Sequence, residues 1–367
     1  MAGRSFVNRF STFQLFGVKS MKITLLTVLA FGLIGLHNPS AFAQGTLIVL
    51  NKSDNTVSLI DLKSKKSVAT VPTGVGPHEA AVSPDGKIAV IANYGAQRQP
   101  GNSLTVIDIS KKEVVRTIDL GEYRRPHGIN WLQGNRIAVT AEVNKALLIV
   151  DVTSGKVLDA INTEQNVSHM VAVSAKTNRA FVANIGSGTV TVIDLATKQK
   201  IADIPTGAGA EGIDISPDER EVWVTNRESN TISVVDQGTL KVIATLDSKS
   251  FPIRIKFVGD GKHVLVSNAQ SGDVAVFDAV ARKELKRIPM ELKAAAGQTE
   301  QRLFGTQFGQ SPVPVGILVI PSVNRAFVAN TNADIVTVID LKEWKIVDRL
   351  QAGKEPDGLA YSRVELK

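Results

Sequence analysis

The 367-residue chain contains no cysteine. That excludes a disulfide framework, a thiolate nucleophile, a cysteine-bound cluster and the CxxCH attachment of a covalent haem. Aromatic residues make up only 5% of the chain, and histidine occurs five times. The sequence carries no G-x-S-x-G, no H-E-x-x-H and no phosphate-cradling glycine loop, so no familiar hydrolytic or nucleotide chemistry announces itself. Long apolar runs are also missing. The longest, ITLLTVLAFGLIGL at 23–36, falls short of the roughly 20 residues needed to cross a bilayer.

That run has another reading. Arg4, Arg9, Lys19 and Lys22 precede it without any acidic residue, and HNPSAFA follows, with Ala41 and Ala43 at the small-residue positions of a cleavage site. Residues 1–43 therefore read as a secretory signal peptide cut near Ala43, with Met21 as a second candidate start. A membrane anchor that stays attached is the alternative; the cleavage site argues against a retained span. The expected location is the periplasm or exterior of a bacterium. Without the leader, the formal charge drops from +7 to +3, 38 basic residues against 35 acidic. So small an excess argues against nucleic acid as a partner.

What the chain does contain is a repeat. Seven apolar segments end in aspartate: VSLID (57–61), LTVID (104–108), LLIVD (147–151), VTVID (190–194), ISVVD (232–236), VAVFD (274–278) and VTVID (336–340). Successive aspartates are 47, 43, 43, 42, 42 and 62 residues apart. Each period holds four strand-like runs, as in 211–246: GIDIS, EVWVTN, TISVVD and KVIATL. A period of roughly 40–50 residues with four strands predicts an all-β fold, a β-propeller of four-stranded antiparallel blades. The second strand ends in asparagine at Asn51, Asn93, Asn184, Asn226, Asn268 and Asn330, with Ala141 as the exception. The first run of the repeat is a second strand, TLIVLN (46–51), and the last is a first strand, PDGLAYS (356–362). Those two belong to one shared blade, which closes a ring of seven within a single domain at 44–367. The repeated aspartates, each before a turn, are expected to bind backbone N–H groups rather than calcium.

VWVTN (222–226) and AFVAN (180–184 and 326–330), each followed ten residues later by Val-Ile-Asp or its equivalent, resemble the YVTN-type β-propeller repeat family. The resemblance covers nearly all of residues 44–367 and implies the fold. It leaves activity open, because such relatives include binding proteins, accessory proteins and enzymes, lactonases among them. A weaker resemblance, resting on the long insertion before PVGI (314–317), runs to periplasmic propellers that accompany quinoprotein alcohol oxidation. It implies a periplasmic oxidation system as a partner.

Function in a repeat protein is expected where the units differ. GAQRQPGNS (95–103) enlarges one connection between second and third strands, and MELKAAAGQTEQRLFGTQFGQS (290–311) enlarges one between blades. Both kinds of connection open on the same face, and Phe304 and Phe308 suit the longer one to a lid. At the entry to the innermost strands on that face stand His78, His127, His169, Glu211, Ile253, Val315 and Asp357. Three imidazoles and Glu211 around a channel mouth suit a divalent metal such as zinc, copper or iron. Polar lining of a hydrated funnel is the plainer alternative. Arg98, Tyr123, Arg124, Arg125, Arg227 and Arg254, with Asp357, are the candidates for binding an organic or protein ligand, arginine being suited to carboxylate or phosphate. The sequence thus points to an exported binding or accessory propeller with its site on the inserted face. The alternative is a metal-assisted hydrolase, lyase or oxidoreductase using His78, His127 and His169.

Overall fold

The computed structural model describes residues 44–295 and 302–366. The expected leader and residues 296–301 of the long insertion lie outside the described residues. Twenty-eight strands, β1–β28 in chain order, form seven four-stranded antiparallel sheets. Six sheets take four consecutive strands. The remaining one joins β28 (Pro356–Ser362) to β1 (Thr46–Asn51), β2 (Thr56–Asp61) and β3 (Lys66–Pro72) in that order. This is blade 1, the shared blade expected from the two ends of the repeat. Blades 2 to 7 follow in sequence.

Burial within a blade grades outward. The two middle strands are covered on both faces by neighbouring blades, as in EVWVTN (221–226), where five of the six residues are buried. The outermost strand alternates exposed and half-buried positions, as in KVIATLD (241–247). Apolar clusters fill the gaps between sheets, for example Trp223, Phe257 and Phe277 between blades 5 and 6.

The repeated polar residues hold the connections. All seven strand-end aspartates accept backbone N–H groups of the following turn: Asp151 from Ser154 at 2.6 Å, Asp236 from Thr239 at 2.7 Å, and Asp61, Asp108, Asp194, Asp278 and Asp340 likewise. The second-strand asparagines are buried and donate to third-strand side chains, which are hydroxyls for five of the six and the Asp273 carboxylate for Asn268. Asn184 Nδ2 reaches Thr191 Oγ1 at 2.9 Å and Thr189 Oγ1 at 3.1 Å. The 95–103 insertion is a continuation of the ladder, not an open loop: Gly95 pairs with Pro100 and Ala96 with Gln99, leaving Gln97 and Arg98 as the turn.

Each innermost strand begins with the same irregularity. Its first residue pairs with the end of the second strand, as Pro77 with Asn93 and Pro314 with Asn330, and the ladder then slips by a β-bulge before regular pairing resumes. The bulge recurs in all seven blades. A bulge frees residues from the ladder and re-aims their side chains, here at the channel. Space around the axis is limited. A Cβ on Gly316 would lie 2.1 Å from the Asp357 carbonyl oxygen, and one on Gly358 2.2 Å from that of His78.

The asparagine network gives a direct test. Asn184→Ala removes its bonds to the Thr189 and Thr191 hydroxyls and the acceptor of the buried Ser168 hydroxyl, and is expected to cost about 1–3 kcal/mol, measured by urea unfolding. A cost near zero would show that the network adds nothing beyond shape.

Candidate functional site

The bulges deliver His78 on β4 (Pro77–Val82), His127 on β8 (Pro126–Trp131), His169 on β12 (Ser168–Ser174) and Glu211 on β16 (Ala210–Ile215) to one cluster. All four are buried, His127 to 1% exposure. The rings converge: the His127 centroid lies 3.6 Å from that of His169 and 4.9 Å from that of His78. A second layer comes from the residue that follows the second strand. It contributes Arg227, already a ligand candidate, and Lys52, Tyr94 and Glu142, which sequence reasoning passed over. Glu142 follows Ala141, where the asparagine rule fails, and that failure was the available signal.

Glu142 ties the layers together. One carboxylate oxygen accepts from His169 Nδ1 and the other from the Tyr94 hydroxyl at 2.7 Å. Tyr94 packs against His78, with 4.3 Å between centroids, and carries the Arg125 guanidinium 4.7 Å above its ring. Arg125 also donates to the Gln97 carbonyl at 2.9 Å, tying the extended hairpin to the rim. His127, Glu142 and His169 offer ligand-type atoms within 4.8 Å of one another. His78 and Glu211, expected in that set, border it instead. His78 Nδ1 donates to the Gly76 carbonyl at 2.9 Å, which leaves Nε2 facing Asp357 Oδ2 at 3.9 Å.

Glu211 belongs to an ion-pair bar across the channel. Its Oε1 accepts from Arg254 Nη1 at 2.9 Å and its Oε2 from Arg227 Nη1 at 2.6 Å. Arg254, from β20 (Pro252–Phe257) in blade 6, extends to Glu79 of blade 2 at 3.0 Å. Glu211 also stands 3.3 Å from His169 Nε2, without the alignment of a hydrogen bond. His127 Nδ1, His169 Nε2, Arg227 Nε and Asp357 Oδ1 are buried without hydrogen-bond partners.

Protonation follows from these contacts. Burial pushes His78 and His127 well below the usual imidazole range, helped by Lys52 beside His78 and by His169 beside His127. Burial also works against protonated His169, but the Glu142 and Glu211 carboxylates outweigh it and its pKa rises. Glu211 is held well down: burial opposes its charge, and Arg227, His169 and Arg254 overcome that. Burial drives Asp357 up to about 6 despite Lys52 and Arg254 nearby.

Not every candidate joins the cluster. Arg98 stands at the exposed hairpin tip, Tyr123 packs into the core between blades 2 and 3, and Arg124 engages Asn144 through its backbone amide. The described part of the long insertion covers the apolar side of the mouth. Phe304 and Phe308 pack with Phe251 over Ile253, Ala269, Val313 and Val315. Arg302 pairs with Asp334 through two bonds of 2.9 and 2.8 Å, and Glu355 accepts from the Leu303 amide. His263, at the start of its second strand, pairs with Asp260 at 2.6 Å and takes no part.

Fold and site together define a seven-bladed propeller with a polar, buried nest at one channel mouth. The sequence matches the model of the YNCE-like beta-propellers over residues 34–135 and 164–299, and the chain belongs to that family. No curated protein matches it. Among solved structures it is similar to hydrazine synthase of Kuenenia stuttgartiensis, at 18% identity and TM-score 0.64, covering 77% of this chain and 88% of that one. It is also similar to the periplasmic gluconolactonase PpgL of Pseudomonas aeruginosa, at 15% and 0.69, covering 87% and 99%. A functionally unknown protein from Desulfotomaculum acetoxidans aligns at 14% and 0.70, with the same coverage as PpgL. Identities this low establish a shared fold.

Asp357 supplies a pH test. Between about pH 4 and 6 the folded chain keeps a proton that the unfolded chain has released, so this group lowers stability as pH rises. Asp357→Asn removes that contribution. Its stability relative to the wild type is expected to improve across the window by up to about 3 kcal/mol, from urea midpoints in metal-free protein. His78 and His127 act oppositely, and His78, whose Nε2 lies 3.9 Å from Asp357 Oδ2, loses a neighbouring carboxylate in the variant. A pH-independent difference would contradict the burial assigned to Asp357.

Proposed function

We propose that this protein is an exported binding propeller of the periplasm that holds a divalent transition metal at the channel mouth, on His127, Glu142 and His169. The observation carrying this reading is the fully buried His127 ring, whose Nδ1 has no partner while two other ligand-type side chains stand within 4.8 Å. A buried polar atom left unpaired is costly, and a metal ion would satisfy it. Two imidazoles and a carboxylate suit zinc, copper or iron. Export is supported by the leader-like residues 1–43 and by likeness in fold to a periplasmic gluconolactonase. An accessory role beside a periplasmic oxidation system fits the long insertion at the mouth.

A second reading, a metal-assisted hydrolase, draws on the ligand count. Two histidines and one glutamate leave a position open, as catalytic zinc sites do. Turnover of a lactone by metal-loaded protein, lost in Glu142→Gln, would favour it over binding alone.

The test uses the full chain expressed with its leader and recovered from the periplasm. We expect an N-terminus at Gln44 and one zinc or copper ion per chain, removable by a chelator. His127→Ala and Glu142→Gln should each weaken binding by about tenfold or more. Recovery of folded protein that takes up no metal ion would dismiss the reading.

A further inference from the structure

This inference rests on the metal reading above and concerns what completes the coordination. Three protein ligands leave at least one position of a four-coordinate ion unfilled. The nearest unused carboxylate is Glu211, with Oε1 3.3 Å from His169 Nε2. Unlike Glu142, whose partners are an imidazole and a hydroxyl, it is ion-paired on both oxygens, to Arg254 at 2.9 Å and to Arg227 at 2.6 Å. Arg254 is anchored from the far side of the channel by Glu79, and Arg227 lies 5.2 Å over the Phe251 ring. Neither guanidinium is loose enough to let Glu211 turn toward a metal.

We infer that Arg227 and Arg254 are positioning residues that withhold Glu211 from the metal and so reserve a coordination position for an external oxyanion, such as the carboxylate end of a small molecule. Charge selects the sign. A divalent ion on two neutral imidazoles and one carboxylate keeps one positive charge, and uncompensated charge at this depth is costly. Of the other acids around the cluster, Glu79 is ion-paired with Arg254, and Asp357 faces His78 across the mouth at 3.9 Å. A donor is also waiting: Arg227 Nε is buried and unpartnered. Access is narrow. The nest is buried, while Tyr94, Arg125 and Arg227 on its rim remain partly exposed. Only a small anion, or the slim charged end of a larger one, reaches the ion.

The experiment uses full-chain protein recovered from the periplasm, loaded with copper(II), with azide as the probe. Copper stoichiometry is measured first, then azide binding by its charge-transfer absorption and the copper EPR signal. Wild-type protein should hold one copper and bind azide saturably. In Arg227→Gln, Glu211 Oε2 is released to occupy the open position while Oε1 stays on Arg254. Azide affinity should fall by about tenfold or more, with an EPR change toward an added oxygen ligand and copper still bound one to one. Adding Glu211→Gln to that variant should return azide affinity toward the wild-type value. Wild-type protein that binds no copper would refute the metal reading and this inference with it. Copper-loaded wild type that ignores azide, or an Arg227→Gln variant that binds it as tightly as wild type, would refute this inference alone. Arg227 is preferred to Arg254 because its side chain is one-quarter exposed, so its loss spares the buried bar.

Discussion

Arg254 is the interaction on which the centre of this molecule depends. A guanidinium at 6% exposure sits between Glu79 and Glu211, and through them joins blades 2, 5 and 6 across the channel. Burying such charges is unfavourable unless each is met by the other, and removing one member strands its partners. The bar therefore ties three blades together, sets where the Glu211 carboxylate points, and through Glu211 biases the His169 ring. Glycines at 128, 212, 316 and 358 let the neighbouring inner strands approach closely enough for such contacts to form.

Much of this was legible in the sequence, for a physical reason. A propeller repeats one backbone solution seven times, so a side chain with a structural duty recurs at a fixed interval. The strand-end aspartates were readable as turn anchors on that ground, and the structure finds every one accepting turn amides. The same register placed His78, His127, His169, Glu211 and Asp357 around one mouth. Closure through a shared blade followed from which strand type stood first and last.

What escaped the reading was whatever depended on contact rather than register. Glu142, Tyr94 and Lys52 follow the second strands, and only three-dimensional packing brings that position over the inner strands. Arg254 and Glu79 lie 175 residues apart, and no local pattern couples them. Tyr123, expected at a ligand, is consumed by the gap between blades 2 and 3. The 95–103 segment looked like a loop because Gly95, Pro100 and Gly101 interrupt the strand pattern, yet its backbone stays in the ladder to a two-residue turn.

The shared blade has a consequence for timing. Asp357 reaches the mouth on β28, the last of the described strands, and it faces His78 from the first complete blade. The nest is therefore unfinished on a nascent polypeptide, however far its earlier blades have folded. Only when the last strand docks beside the first do the acid and the imidazole meet. His127, Glu142 and His169 come from blades 3 and 4 and can meet earlier, so ring closure completes the His78–Asp357 side of the nest last.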